Sequence, residues 1–263
     1  MYGAKMVSVH PDNPARGLPG HQGFVALFDH DTGQPVAIVE GAQITAMRTA
    51  ATSALATRLL AREDSRTHGV FGAGVQAATH IEAIACIRPI ERILIWSRTS
   101  EKATALAHSL RLPGCQIRVT DDPAEAAACD IVSTTTSARE PVLRGQWLQP
   151  GCHVNLVGAH SPTTREVDDE AVRRGSIYVD LRQSALLEAG DLLIPLDKGI
   201  IAMDHFVGEL GEVLAGEAPG RIDAAQITLF KSLGIFAQDL IAAADVYRQA
   251  CEQNLGSVVQ FQN

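Results

Sequence analysis

The segment Val70-Phe71-Gly72-Ala73-Gly74-Val75-Gln76-Ala77 has the spacing G-x-G-x-x-A, set between an apolar strand pattern and an amphipathic helical one. In that setting the first glycine makes a tight turn and the second lets the backbone approach a pyrophosphate. Ala77 allows close helix–strand contact, and the helix N-terminus supplies amide donors and a favourable dipole. The same spacing also occurs in plain structural βα turns, so its weight comes from the strand–turn–helix context. At the end of the next strand an NAD-preferring site carries Asp or Glu for the ribose 2′-hydroxyl. This chain has Ser97, Arg98 and Thr99 there. Arginine and hydroxyl donors suit a 2′-phosphate, so NADP(H) is the preferred cofactor and NAD(H) the second choice. The competing interpretation is a solvated Arg98 beside a helix cap at Thr99 or Ser100.

Other chemistries find little support. The nine histidines are dispersed, with no H-x-x-x-H pair and none near a cysteine at metal spacing, so no metal is expected. The five cysteines (Cys86, Cys115, Cys129, Cys152, Cys251) form no C-x-x-C pair and read as reduced thiols of a cytoplasmic protein. Asp191, in Glu188-Ala189-Gly190-Asp191, reads as a structural loop residue. Glu209 and Glu212 read as the start of a helix or turn with no assigned chemistry.

Elements that must position the glycine turn follow from periodicity. Residues 1 to about 40 read as antiparallel strands (Lys5 to His10, Gly23 to Phe28, Val36 to Val39). The turn signals Pro11-Asp12-Asn13-Pro14 and Asp29 to Gly33 separate them. A long Ala- and Thr-rich helix spans roughly Ile44 to Ala61, its small residues suited to close packing. Strands are then predicted at 68–71, 92–96, 116–120, 130–134, 153–157 and 176–180, with helices at 75–87, 100–110, 123–128 and 167–173. That alternation implies βαβ units and a mainly parallel sheet. A final helix is expected over 229–254. The fold class is therefore α/β: a Rossmann-type doubly wound parallel sheet over 61–221, with a second α+β domain from 1–60 and 222–263.

Bulk composition limits the partners. The chain has 263 residues, 46% hydrophobic and 20% charged, enough for a full core. A net charge of -8 and the lack of a basic run argue against nucleic acid. No apolar stretch approaches a membrane span, and the first residues contain no signal-peptide h-region.

Eight segments occur in an order that resembles the ornithine cyclodeaminase/mu-crystallin family. They are Ala4-Lys5-Met6-Val7, Gly17-Leu18-Pro19, Ile44 to Ala51, Gly72 to Gln76, Thr134 to Thr136, Asn155 to Ala159, Arg165 to Asp168 and Thr228 to Gly234. The resemblance implies a Rossmann domain plus a domain that binds substrate and forms a homodimer. It also implies an NAD(P)H-dependent oxidoreductase acting on a small amino or imino acid. By the same resemblance Lys5 meets the carbonyl or carboxylate region of the substrate, and Arg48 lies between substrate and nicotinamide. A guanidinium grips a carboxylate with two parallel hydrogen bonds, and a lysine can donate a proton during reduction. Val75, Gln76, Thr136, Val157 and Ser232 would line the cofactor.

Two departures from the family pattern bear on the reaction. Where cyclodeaminases and the related alanine dehydrogenases carry Asp after the V-G-G/A turn, this chain has His160. A carboxylate there serves a cationic amine, and an imine reductase lacks that need. The expected reaction is therefore reduction of a cyclic ketimine such as Δ1-pyrroline-2-carboxylate. His160 is either a proton-transfer assistant, since an imidazole titrates near neutrality, or a bystander. Ornithine cyclodeaminase, an alanine dehydrogenase-like activity and a non-catalytic dinucleotide-dependent binding protein are the alternatives. Secondly, the family has a strand–helix segment with a carboxylate-binding arginine before the lysine motif, whereas this chain starts four residues ahead of Lys5. The expectation is a substrate domain incomplete at its N-terminus.

Overall fold

The computed structural model describes residues 1–10 and 13–260. Three strands come first: β1 (Tyr2–Val9), β2 (His21–Phe28) and β3 (Pro35–Glu40), followed by the long helix α1 (Gly41–Leu60). Next come β4 (Thr67–Phe71), α2 (Val75–Ala85), β5 (Arg92–Trp96), α3 (Ser100–Ser109) and β6 (Gln116–Val119). The chain continues through α4 (Pro123–Ala127), β7 (Ile131–Thr134), β8 (His153–Leu156), α5 (Asp169–Arg174) and β9 (Gly175–Val179). The remaining elements are α6 (Arg182–Glu188), α7 (Gly190–Asp197), β10 (Phe206–Glu209), α8 (Leu210–Ala215), β11 (Ile227–Lys231) and α9 (Phe236–Gln253). Among the described residues no helix is long and apolar enough to cross a membrane.

Two compact units result, Met1–Arg48 with Ile235–Asn263, and Thr49–Gly234. The divisions fall inside α1 and just after β11, where the sequence placed them at 60 and 222. In the first unit β1, β2 and β3 pair antiparallel in that order. Strand alternation turns Val25 and Leu27 of β2 inward, fully buried, against Leu240, Ala243 and Val246 of α9. Pro11 and Asp12, half of one predicted turn, lie outside the described residues.

The second unit is a parallel sheet of eight strands in the order β10-β9-β11-β8-β7-β4-β5-β6. From β4 the chain steps outward to β5 and β6, then returns to the other side of β4 with β7. That reversal is the switch point at which α/β sheets bind ligands, beyond the carboxyl ends of their strands. Helices cover both faces, as the alternating pattern requires. Val70, Ile93 and Ile95 pack on α2 and α3, while Phe71, Leu94, Val132 and Val154 face a larger core closed by α4 to α7.

One sequence expectation fails here. Residues 229–231 are the end of β11, not the start of a helix. β11 lies between β8 and β9 in parallel register, with all five of its residues buried. The run Ile227-Thr228-Leu229-Phe230 is short, apolar and aromatic, a pattern that fits a fully buried parallel strand. Gly234, at φ 87°, then breaks the path before α9. Three further elements, α6, α7 and β10, were not anticipated, while α8 begins at the Glu209–Glu212 segment that was read as the start of a helix or turn.

The part of α1 in this unit lies on the sheet through small side chains. Ser53, Ala56, Thr57 and Leu60 have no exposed surface. Asn155 Nδ2 donates to Thr57 Oγ1 at 3.0 Å. His80 donates from Nδ1 to the Gln76 carbonyl at 2.7 Å, which fixes the tautomer, so Nε2 accepts from the Ser53 hydroxyl at 2.9 Å. His153 bridges Thr228 Oγ1 and Asn155 Oδ1, and His68 Nε2 meets Ser133 Oγ.

Burial is the main cause that pushes these three imidazoles down, His68 to about 3, His80 to about 4 and His153 to about 3. Each folded-state value lies below the unfolded value near 6.5, so each histidine stabilises the fold fully above pH 6.5 and progressively less as pH falls. Between pH 6.5 and 5 each loses about 2 kcal/mol. Glu166, raised by burial, has the opposite sign but involves one proton against three. The expected outcome is a steep drop in urea midpoint between pH 6.5 and 5, measured by circular dichroism. His153→Gln should flatten that drop by about one third.

Candidate functional site

The glycine turn joins β4 to α2. Gly72 sits at φ 118°, and a Cβ there would come within 2.8 Å of Thr135 Oγ1 and 2.9 Å of the Thr135 carbonyl. Both conformation and space therefore demand glycine. Thr135 grips the end of β4 in turn, donating from N to the Phe71 carbonyl at 2.8 Å. Gly74 differs: its backbone is extended, and nothing lies within 4 Å of where a Cβ would be. It caps α2 without any side-chain hydrogen bond, so the first amides of α2 remain available to an anion. Ala77 is fully buried against the strands. A groove of about 480 Å³ opens beside the turn, lined by Ala73, Gly74, Val75, Ala78, Lys102 and Leu106. Val75 is exposed there.

At the end of β5, Ser97 is half-buried and accepts from Thr99 N at 3.3 Å, while Arg98 and Thr99 are exposed. Thr99 is the residue before α3, and its side chain makes no capping bond. Lys102 adds a second cation one turn further on.

Three buried polar atoms among the described residues lack protein partners: His68 Nδ1 inside β4, and two at the carboxyl edge of the sheet, Gln76 Oε1 after β4 and Ser232 Oγ after β11. A native protein leaves few such atoms without a reason, and a bound ligand is one. An open glycine turn, an uncapped helix and two orphaned polar atoms fit a dinucleotide.

The loops after β7 and β8 carry Thr136, Val157 and Gly158, and a buried ionic network lies behind them. Glu166, with no exposed surface, accepts from Thr136 N (2.6 Å), Thr136 Oγ1 (2.7 Å), Thr134 Oγ1 (2.7 Å) and Gly158 N (2.6 Å). Asp191 Oδ1 accepts from Glu166 N at 2.7 Å and Val167 N at 3.2 Å. Its other oxygen pairs with Lys231 Nζ at 2.9 Å, and Lys231 also donates to the Ala159 carbonyl at 2.5 Å. Burial and then Asp191 raise the Glu166 carboxyl, opposed by Lys231 and the threonine hydroxyls. A side chain at Gly158 would collide with the Thr136 carbonyl at 2.0 Å. His160 stands at the exposed end of the same loop, donating from Nδ1 to the Gly158 carbonyl at 3.1 Å.

The first unit holds a separate cluster. Alternation along β1 turns Gly3 and Lys5 toward the inner face, Lys5 in register with the buried Val25. Thr45 and Arg48 are neighbours on α1 by their i, i+3 spacing. Lys5 Nζ donates to Asp239 Oδ1 and to Thr45 Oγ1, both at 2.7 Å. Arg48 Nε donates to the same Asp239 oxygen at 3.1 Å, and Nη1 to Gln238 Oε1 at 3.2 Å. The side chains of Lys5, Arg48 and Asp239 are only 12%, 11% and 7% exposed. The formal charges of the three side chains sum to +1, a sign that suits an anion such as a carboxylate.

Sequence reasoning picked out Lys5 and Arg48 but missed Asp239, which joins them. Its one signal was an acidic residue in the first turn of α9, four residues before Ala243 on the buried stripe. Asp191 was read as a structural loop residue. It lies in the first turn of α7, fully buried in an ion pair.

The doubly wound sheet and its glycine turn define a dinucleotide-binding oxidoreductase fold. The profile of the ornithine cyclodeaminase/mu-crystallin family matches residues 1–254, and the chain belongs to that family. It is 38% identical over 262 residues to a Δ1-pyrroline-2-carboxylate reductase of Bacillus cereus, covering 98% of this chain and 80% of that protein. The Thermococcus litoralis Δ1-pyrroline-2-carboxylate reductase, solved with NADH and L-proline, superposes with a TM-score of 0.94 at 40% identity. That match covers 98% of this chain and 80% of the other. An archaeal alanine dehydrogenase dimer with bound NAD superposes at 0.93 and 33% identity, covering 99% and 81%.

Asp239→Ala would leave Lys5 and Arg48 facing each other without their shared counter-charge. The expected cost is about 3 kcal/mol, read as a lower urea midpoint with unchanged slope. Asp239→Glu should recover part of it.

Proposed function

We propose that the protein is a nicotinamide-dependent reductase that converts a small cyclic imino acid, of the Δ1-pyrroline-2-carboxylate type, to the amino acid. The observation that carries this reading is the Lys5–Asp239–Arg48 cluster, whose surplus positive charge suits one carboxylate. The matched reductases act on such a substrate, and the glycine turn fits their cofactor.

When bound at Gly72, Gly74, Gln76, Thr136, Val157 and Ser232, the reduced nicotinamide supplies two electrons and a hydrogen to the C=N carbon. The chain's own residues do the rest. Arg48, its guanidinium plane fixed by Asp239 and Gln238, binds the substrate carboxylate. Lys5 spends two N–H groups on Asp239 and Thr45, and its third donates a proton to the imine nitrogen. Asp239 and Thr45 hold the Lys5 ammonium in place through hydrogen bonds of 2.7 Å each. His160, at the exposed end of the β8 loop, is the candidate assistant in proton transfer.

Arg98 with Ser97 and Thr99 favours NADP(H), because no carboxylate at the end of β5 repels a 2′-phosphate. The outer face of the first sheet supports homodimerisation. Met6 (63% exposed), Phe24 (36%) and Ile38 (69%) lie on it and would be covered by a second copy, and the matched alanine dehydrogenase is a dimer. All five cysteines are free, in keeping with a cytoplasmic protein.

The test follows loss of absorbance at the reduced-nicotinamide band with Δ1-pyrroline-2-carboxylate. Turnover is expected with both dinucleotides and is faster with NADPH. Lys5→Met and Arg48→Ala should each cut kcat/KM by about 100-fold or more while cofactor affinity holds. Arg98→Ala should weaken NADPH about tenfold and leave NADH unchanged. Ammonia release from ornithine with no net cofactor consumption would overturn the reductase assignment in favour of a cyclodeaminase.

A further inference from the structure

The strand reversal between β4 and β7 divides the carboxyl edge of the sheet into two halves. The glycine turn ends β4, and Ser97-Arg98-Thr99 ends β5, so the adenosine side belongs there. The nicotinamide end then belongs over β7 and β8, whose loops carry Thr136, Val157 and Gly158. Glu166 stands near the far end of the β8 loop and ties it to the β7 loop, holding Thr136 through N and Oγ1 and Gly158 through N.

Three of its four hydrogen bonds are received by its oxygens whatever its charge, and the fourth (from Thr134 Oγ1, 2.7 Å) is received as well in the ionised form. This ring of donors, with the Lys231 cation nearby, opposes the burial that raises the carboxyl, and Glu166 is taken as a carboxylate. The amides of Thr136 and Gly158 can only donate, and Thr136 Oγ1 already accepts from Ala138 N at 3.1 Å, so its own hydrogen points to Glu166. With Asp191 also ionised and Lys231 the cation, the three buried side chains sum to −1. The excess negative charge sits directly behind the loop backbone that faces the ligand.

We propose that Glu166 is a positioning residue for the nicotinamide end of the cofactor, and that this buried charge favours the oxidised, cationic ring over the reduced, neutral one. The inference rests on the cofactor assignment above. Tighter binding of the oxidised form makes the bound pair a stronger reductant, which suits an imine acceptor.

Isothermal titration of the full chain with NADP⁺ and with NADPH tests it, each variant first checked for fold by circular dichroism. Glu166→Gln should raise the ratio of the two dissociation constants, oxidised over reduced, by about tenfold. Glu166→Asp keeps the charge and should keep the ratio even where it weakens both forms. Asp191→Asn neutralises the same cluster from its other end and should move the ratio the same way, which preserves the test should Glu166→Gln not fold. A parallel loss of affinity for both forms, or an unmoved ratio in the neutralising variants, would overturn the proposal and leave Glu166 a loop clamp. Wild-type protein that binds neither form would sink the cofactor assignment, and this inference with it.

Discussion

The second unit is organised around charges removed from water. Lys231 and Asp191, both without exposed surface, meet at 2.9 Å, and Glu166 is joined to Asp191 through its own amide. Burying such groups costs several kcal/mol each unless their hydrogen-bonding capacity is met. Here it is met by the backbone of the loops that end β7 and β8, so these loops have little freedom to shift without exposing a charge. Rigidity at the carboxyl edge of the sheet follows from the ionic network, while apolar packing fixes the strands beneath it.

A second polar layer lies under α1. Ser53, Thr57, His80, His153, Asn155 and Thr228 are all buried and hydrogen-bonded to one another or to backbone. Small side chains let the helix approach the sheet, and the hydroxyls satisfy imidazoles that an all-apolar helix would strand. Such a layer specifies one register between helix and sheet, since a slip of one residue would leave several partners unpaired at once.

What could be read from the sequence was what depends on local order. Alternating strand and helix patterns gave β4 to β9 to within a residue or two, and the glycine turn was plain from its spacing. β11 was misread because a short, largely apolar run (Ile227 to Phe230) followed closely by a helix looks the same as one longer helix until Gly234 is recognised as a break. The ionic groups were hidden for a different reason. Asp191 and Lys231 are 40 residues apart, and Lys5 and Asp239 are 234 apart. Their meeting depends on strand order and on the return of α9 to the first sheet, which no local pattern encodes.

Lys231 and Asp239 belong to different units yet stand close together along the chain. Lys231 ends the strand that anchors the β8 loop, and Asp239 holds Lys5 and Arg48 eight positions later. Between them the Asp180 carboxylate pins the chain, accepting from Leu233 N at 2.7 Å and Gly234 N at 2.5 Å. An insertion or deletion inside α9 between Asp239 and Ala243 would shift their relative phase by about 100° per residue and carry Asp239 off the buried face. New chain ends or grafted segments belong instead at the β2–β3 hairpin, around Asp31 to Gly33, where exposed turn residues touch neither ionic cluster.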